Sequence, residues 1–134
     1  MNILAMSHRE FENYQVKPNE RVLAVIILDK DLKEKPFYNP KIPDKIKHVY
    51  KTTLGHDEDG FGDLENVINM VENKINEVDT VLLTCPGGKN RSVTLEETFR
   101  EKYMIIMPIY TNVIDTSLMI PKLKRYSRSL LHMN

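Results

Sequence analysis

The residues with the clearest chemical potential form one short stretch, Cys85-Pro-Gly-Gly-Lys-Asn-Arg-Ser92. Its two glycines allow the backbone to curl, so that successive N–H groups can point inward around an anion. Arg91 adds a planar fork that can bind two oxygens of a phosphate at once. The same positive field favours the thiolate form of a cysteine, and a thiolate held beneath a phosphate is placed for in-line attack. The stretch therefore predicts a phosphate pocket that contains its own nucleophile.

The segments on either side of this stretch can position it. Residues 81–84, Val-Leu-Leu-Thr, form an apolar run typical of a buried strand that ends at Cys85. Residues 93–103 are predicted to form a helix, and Arg91 and Ser92 stand at its opening. The N-terminus of such a helix carries free N–H groups and the positive end of the helix dipole, both of which attract an anion.

The rest of the chain alternates between strand and helix patterns. Further strands are predicted at 3–6, 22–28 and 48–54. A short helix is predicted from the cap Ser7 to Tyr14, with Glu10 completing a capping box, and a longer helix at 64–77. Residues 29–47 contain three prolines and are predicted to form a loop, and a further helix is predicted from about Ser117. This alternation predicts an α/β fold with a mostly parallel central sheet flanked by helices.

The spacing Cys-x5-Arg-Ser, with glycine at the third position after cysteine, resembles the signature loop of the cysteine-dependent protein tyrosine phosphatases, particularly the small dual-specificity type. The flanking strand and helix match that family's context. The order of elements over about residues 20–103 is also similar, although outside the loop the likeness is one of layout and not of residue identity. The resemblance implies one phosphatase-like domain over residues 1–134, with the family's sandwich of helices around a sheet.

The resemblance also implies a role for each residue of the loop. Cys85 would be the nucleophile that forms a cysteinyl-phosphate, Arg91 would stabilise the charge on the equatorial oxygens, and Ser92 would donate to the Cys85 sulfur as it leaves. The residues expected around the phosphate are Pro86, Gly87, Gly88, Lys89, Asn90 and Arg91. The implied enzyme acts on a phosphorylated protein or a small phosphomonoester, and it needs no cofactor or metal.

The family also uses an aspartic acid as a general acid, on a loop before the helix that precedes the cysteine strand. The acidic segment His56-Asp-Glu-Asp-Gly60 stands in that place. Asp57 is the first candidate because it directly follows the end of a predicted strand, and Asp59 is the second. Asp63 is better placed to cap the helix that begins at residue 64.

A second interpretation is a non-catalytic module that binds phosphate or RNA. The string Cys-Pro-Gly-Gly-Lys-Asn-Arg-Ser-Val is similar to one in the C-terminal domain of the RNase adapter proteins, which are associated with sugar phosphate and RNA. Two residues depart from the phosphatase pattern, because Thr84 replaces the usual histidine before the cysteine and Pro86 has no N–H to donate. The predicted last helix is basic, with Lys122, Lys124, Arg125 and Arg128. A rhodanese-like sulfur carrier is a third, remoter interpretation.

The overall composition is that of an ordinary globular domain. The 134 residues are 41% hydrophobic and 28% charged, and 19 Lys and Arg balance 19 Asp and Glu. This balance disfavours a general nucleic-acid coating role, which needs a basic excess. The single cysteine excludes an intrachain disulfide. With no signal-peptide pattern and no apolar run near the ~18 residues that span a bilayer, we expect a cytoplasmic protein.

Overall fold

The computed structural model of the chain describes residues 2–28, 39–54, 63–88 and 91–103, together with residue 130. Within these ranges, four strands form one sheet and three helices pack against it. The strands are β1 (Asn2–Ser7), β2 (Val22–Leu28), β3 (His48–Thr53) and β4 (Thr80–Cys85), and the helices are α1 (His8–Glu12), α2 (Leu64–Lys74) and α3 (Arg91–Tyr103). All strand pairs are parallel, which confirms the predicted α/β fold with a parallel sheet.

The strand that carries Cys85 lies inside the sheet. The strand order is β1-β4-β2-β3, so β4 is hydrogen-bonded on both sides. Every residue of β4 is buried, and so is all of β2 except its last residue. Strands covered on both faces need such continuous apolar runs. The pairing register places Ser7, the last residue of β1, beside Cys85, the last residue of β4.

The helices form layers on the two faces of the sheet. Phe11 of α1 packs with Leu82, Ala24 and Ile26 on one face. The apolar side chains of α2 and α3 pack with Val81, Leu83 and their neighbours on the other face. The helices that follow β1 and β4 therefore lie on opposite sides of the sheet, although the two strands are adjacent.

The hydrogen bonds at the start of α1 confirm the predicted cap at Ser7 and the role of Glu10 in it. The Ser7 hydroxyl accepts from the Glu10 N–H at 3.1 Å, and the Glu10 carboxylate accepts from the Ser7 N–H at 3.1 Å. This is the predicted capping box, in which two otherwise unsatisfied N–H groups find partners. The helix ends at Glu12, two residues before the predicted end at Tyr14.

The two longer helices differ from expectation at their ends. Helix α2 begins at Leu64 as predicted and ends at Lys74 instead of residue 77. Helix α3 begins at Arg91, two residues before the predicted start, so both Arg91 and Ser92 lie in its first turn. The apolar spacing locates the middle of a helix better than its ends, because the first turn of α3 is polar.

The prediction that Asp63 caps α2 is only half right. Asp63 occupies the N-cap position, but its side chain makes no capping bond. Its carboxylate accepts from the hydroxyls of Thr52 at 2.5 Å and Tyr50 at 2.9 Å, and from the Asn66 side chain at 2.7 Å. The two hydroxyls come from β3, so Asp63 ties the start of α2 to the sheet.

Several predictions concern segments outside the described residues. These are most of the proline-containing loop, the acidic segment at 56–60 and the helix from about Ser117. Of the final part of the chain, Leu130 is described, and it packs against the core that α2 and α3 cover. Among the described residues, no helix is long and apolar enough to cross a membrane.

Candidate active site

The predicted phosphate loop lies at the carboxyl end of the sheet, between β1 and β4. In open parallel sheets a crevice forms where two adjacent strands lead to helices on opposite faces, and ligands bind there. Strand β1 leads to α1 on one face, and β4 leads through the loop to α3 on the other. The loop that follows Cys85 therefore occupies the position of the sheet best suited to a ligand.

Cys85 is the last residue of β4, and its side chain points toward the α3 face. Its Sγ lies 3.1 Å from the Ser92 Oγ, within hydrogen-bonding distance for sulfur. Both side chains are buried, with 2% of Cys85 and none of Ser92 exposed to solvent. The contact exists because α3 begins early enough to place Ser92 in its first turn, directly beside the end of the strand.

Gly88 gives the loop its shape. It adopts a φ of +66°, in the left-handed region that side chains rarely occupy. A Cβ at this position would stand 2.7 Å from the Met6 carbonyl carbon and 2.8 Å from the Ser7 Cα. Gly87, by contrast, has open space around it. The loop turns back onto the end of β1 at Gly88, and only glycine fits there.

Arg91 is buried at the start of α3, with 5% of its surface exposed. Its Nη1 donates to the Leu54 carbonyl oxygen at 2.6 Å. Leu54 directly follows β3 and is completely buried. Its N–H donates to the Leu28 carbonyl oxygen at 3.2 Å, which fixes its backbone beside the end of β2. The guanidinium is thereby held in a fixed direction at the carboxyl end of the sheet.

His8 was not among the predicted site residues, and the structure places it next to them. Its ring is 1% exposed, and Nδ1 lies 3.0 Å from the Thr84 Oγ1, one residue before Cys85. Because the carboxyl ends of adjacent parallel strands meet at one edge, the residue after β1 could have been expected near the residue that ends β4. The sequence predicts strands before His8 and before Cys85, but it does not show that these two strands are neighbours in the sheet.

Helix α3 is attached to β1 along its length. The Glu96 carboxylate accepts from the Ala5 N–H at 2.6 Å, and Arg100 donates to the Ile3 carbonyl oxygen. Glu96 and Arg100 also form an ion pair of 2.8 Å, with 1% of the Arg100 side chain exposed. Burial raises the pKa of Glu96, although Arg100 opposes that effect, and burial lowers the pKa of Arg100. These contacts cover the outer edge of the sheet and hold the helix that carries Arg91 and Ser92.

The structure thus brings most of the predicted loop residues into one place. Cys85, Pro86, Gly87, Gly88, Arg91 and Ser92 all lie at the carboxyl end of β4 or in the first turn of α3. Lys89 and Asn90 lie outside the described residues, and so do both candidates for the general acid, Asp57 and Asp59. In the described ranges, no group of three or more metal-binding side chains occurs.

No protein-family model, no curated protein and no solved structure matches this chain. The function must therefore be argued from the site itself. What the arrangement offers is a thiol with an adjacent hydroxyl, a left-handed glycine turn and an oriented guanidinium, all at the N-terminus of a helix. A helix N-terminus and a guanidinium are groups that can bind an anion.

Proposed function

We propose that the protein is a phosphomonoester hydrolase that acts through a cysteinyl-phosphate intermediate, in the manner of the small dual-specificity phosphatases. The observation that carries the proposal is the 3.1 Å contact between the Cys85 Sγ and the Ser92 Oγ, at the end of an internal strand that leads into the left-handed turn at Gly88. A buried structural cysteine needs no hydroxyl partner beside it. The tyrosine-phosphatase-like sandwich, built around the four-stranded parallel sheet, is part of this proposal.

In the first step, the Cys85 thiolate attacks phosphorus and the bond from phosphorus to the leaving oxygen breaks. The leaving oxygen takes a proton from the general acid, for which Asp57 is the first candidate and Asp59 the second. Arg91, oriented by its bond to Leu54, binds the equatorial oxygens whose charge must be stabilised in the transition state. The loop N–H groups and the α3 N-terminus add to that stabilisation.

In the second step, water attacks the cysteinyl-phosphate and gives a proton to the carboxylate that acted as general acid, and the bond between phosphorus and sulfur breaks. The sulfur leaves as a thiolate, so a donor beside it lowers the barrier. The Ser92 hydroxyl is within reach at 3.1 Å and can donate to the departing sulfur. Inorganic phosphate is the second product, and the free thiolate is restored for the next cycle.

A second candidate function is a phosphate-binding or RNA-binding module that uses the same loop without turnover. Two observations favour it, namely the burial of Cys85 at 2% exposure and of Arg91 at 5% exposure. A nucleophile must reach phosphorus, whereas a binding loop can hold an anion through its N–H groups alone. The two functions share the pocket and differ in whether the Cys85 sulfur forms a bond.

The test is hydrolysis of p-nitrophenyl phosphate by the wild-type protein and by Cys85→Ser, with and without vanadate, over about pH 5 to 8. We expect vanadate-sensitive turnover in the wild type and none in Cys85→Ser. Asp57→Asn and Asp59→Asn then form a matched pair, because only the true general acid loses about 10²-fold or more in rate.

Two other outcomes would contradict the hydrolase proposal. If the wild type binds phosphate or vanadate by calorimetry but releases no product at any pH, the hydrolase proposal is wrong. Titration with sugar phosphates and a short RNA would then test the binding module. Equal turnover by the wild type and Cys85→Ser would instead assign the activity to a contaminant and also exclude the thiol mechanism.

A further inference from the structure

The side chain of His8 makes a buried polar contact that the proposed mechanism does not use. His8 is the first residue of α1, directly after the strand residue Ser7, and its ring is 1% exposed. Its Nδ1 lies 3.0 Å from the Oγ1 of Thr84, which is completely buried. The two residues are separated by 76 positions in the chain, so the contact depends on the finished sheet.

Stability alone does not account for this pair. A buried hydrogen bond adds little net free energy, because both groups lose their bonds to water, and an apolar pair of similar shape would serve as well. The end of β1 is already held by its pairing with β4 and by the capping box. A directional bond between two polar groups instead restricts geometry, because it is strong in only one arrangement.

That restricted geometry bears directly on Cys85. Side chains alternate along a strand, so Thr84 points toward the α1 face and Cys85 toward the α3 face. The bond from His8 holds the strand end from one side, and the bond from Ser92 holds the sulfur from the other. The pairing of β4 with β2 stops at Thr84, so Cys85 is paired only with β1, and fixing the Thr84 side chain limits the remaining motion of the strand end that carries the Cys85 Cα–Cβ bond.

We infer that His8 is a positioning residue for the Cys85 nucleophile and acts through the Thr84 hydroxyl. The inference rests on the proposed hydrolase function. It places His8 in the step of bond formation at phosphorus and not in substrate binding, which depends on the loop N–H groups and Arg91. Loss of the His8–Thr84 bond therefore lowers kcat and leaves KM nearly unchanged.

The test compares kcat and KM for p-nitrophenyl phosphate across a set of matched variants. His8→Phe and Thr84→Val remove the bond while filling similar space. His8→Asn keeps a polar atom on Cγ, in the place of Nδ1, and Thr84→Ser keeps the hydroxyl. The exposed histidine at the start of β3 supplies the control His48→Asn. Urea unfolding of each variant checks that the fold persists.

A misplaced reacting group costs up to about 10²-fold in rate, so we expect His8→Phe and Thr84→Val each to lower kcat about tenfold or more, with KM within about twofold. The double variant should be no slower than either single variant, because both remove the same bond. His8→Asn and Thr84→Ser should recover most of the rate, and His48→Asn should match the wild type.

Other results would show whether the role of His8 or the hydrolase function itself is wrong. Unchanged kcat in His8→Phe, in protein whose Cys85→Ser variant is inactive, overturns the role of His8 and leaves the hydrolase intact. Additive losses in the double variant, or no rescue by His8→Asn, also overturn it. If the wild type shows no thiol-dependent turnover, the hydrolase proposal fails, and the role of His8 fails with it.

Discussion

Gly88 lies so close to Ser7 that a Cβ on the glycine would stand 2.8 Å from the Ser7 Cα. Through this close approach, the loop after β4 packs against the end of β1. The approach requires both the left-handed φ of +66° and the absence of a side chain. The loop after β4 and the end of β1 are therefore in direct backbone contact at Gly88, where a side chain does not fit.

Gly88→Ala is expected to destabilise the protein and distort the loop. The left-handed conformation of a residue with a side chain costs about 1–3 kcal/mol, and the clash with rigid backbone adds to that. We expect a loss of at least about 2 kcal/mol in the free energy of unfolding in urea, together with weaker vanadate binding. Gly87→Ala is the matched control, because it has open space and should change little. Equal effects of the two variants would show that the loop is not held on Ser7.

Ser92→Ala is expected to slow the second step, hydrolysis of the cysteinyl-phosphate, more than the first step, in which the cysteinyl-phosphate forms. A hydrogen bond to a charged group contributes about 1.5–3 kcal/mol, which corresponds to roughly ten- to two-hundredfold in rate. Rapid mixing with p-nitrophenyl phosphate should show a burst of one nitrophenol per protein, followed by slow turnover. Mass spectrometry should detect a phosphate adduct on Cys85. A variant with wild-type kcat and no adduct would assign Ser92 a structural role.

The hydrogen bonds at Asp63 predict a pH-dependent contribution to stability. Burial alone would raise the pKa of Asp63, but the bonds from Thr52, Asn66 and Tyr50 outweigh it and hold the pKa below its ordinary value. For a carboxyl group with a lowered pKa, the stabilisation is complete above the ordinary value of about 3.9 and is lost as pH falls through the lower folded value.

Asp63→Asn should therefore cost about 1 kcal/mol at neutral pH, and its deficit relative to the wild type should shrink in acid. Urea unfolding at pH values between about 7 and 2 measures both effects. A deficit that stays constant down to the lowest pH would mean that the carboxylate form carries no special stabilisation.

Because the ion pair between Glu96 and Arg100 is buried, we expect removal of one partner to destabilise the protein more than removal of both. Removing one partner takes the ion pair away from a charged group that stays buried, so Glu96→Leu and Arg100→Met should each lower the free energy of unfolding by about 3–5 kcal/mol. The double variant should be more stable than either single one, because no buried charge remains. Glu77→Ala, which removes the more exposed pair with Lys74, should cost far less. If the double variant lost the sum of the two single losses in the free energy of unfolding, the two side chains would not be energetically coupled.

The features that the sequence could predict depend on residues that are close together in the chain. The capping box joins Ser7 and Glu10 across three positions, and the buried strand β2 follows from a continuous apolar run. The loop after Cys85 joins a strand to a helix, as the apolar run before it and the helical pattern after it predict. In each case the interacting groups are close in the chain, so pattern and propensity decide the outcome.

The features that sequence could not predict depend on the order of the strands. Asp63 binds Tyr50 and Thr52 instead of capping α2, because β3 places two hydroxyls within its reach. The attachment of Glu96 to Ala5 spans 91 positions, and it requires β1 to lie at the edge of the sheet beneath α3. No local pattern in either segment indicates that arrangement.

The parallel pairing of β1 with β4 also has a consequence for how the chain is made. During translation, β1 leaves the ribosome long before β4 exists, and it cannot pair until β4 has been synthesised, because Asn2 pairs with Thr80 and Ser7 with Cys85. Such distant pairing is slow, and an unpaired strand edge is open to wrong partners in the meantime. The two backbones that make the candidate site therefore meet only after β4 has been made, so the site cannot form before β1 and β4 have paired.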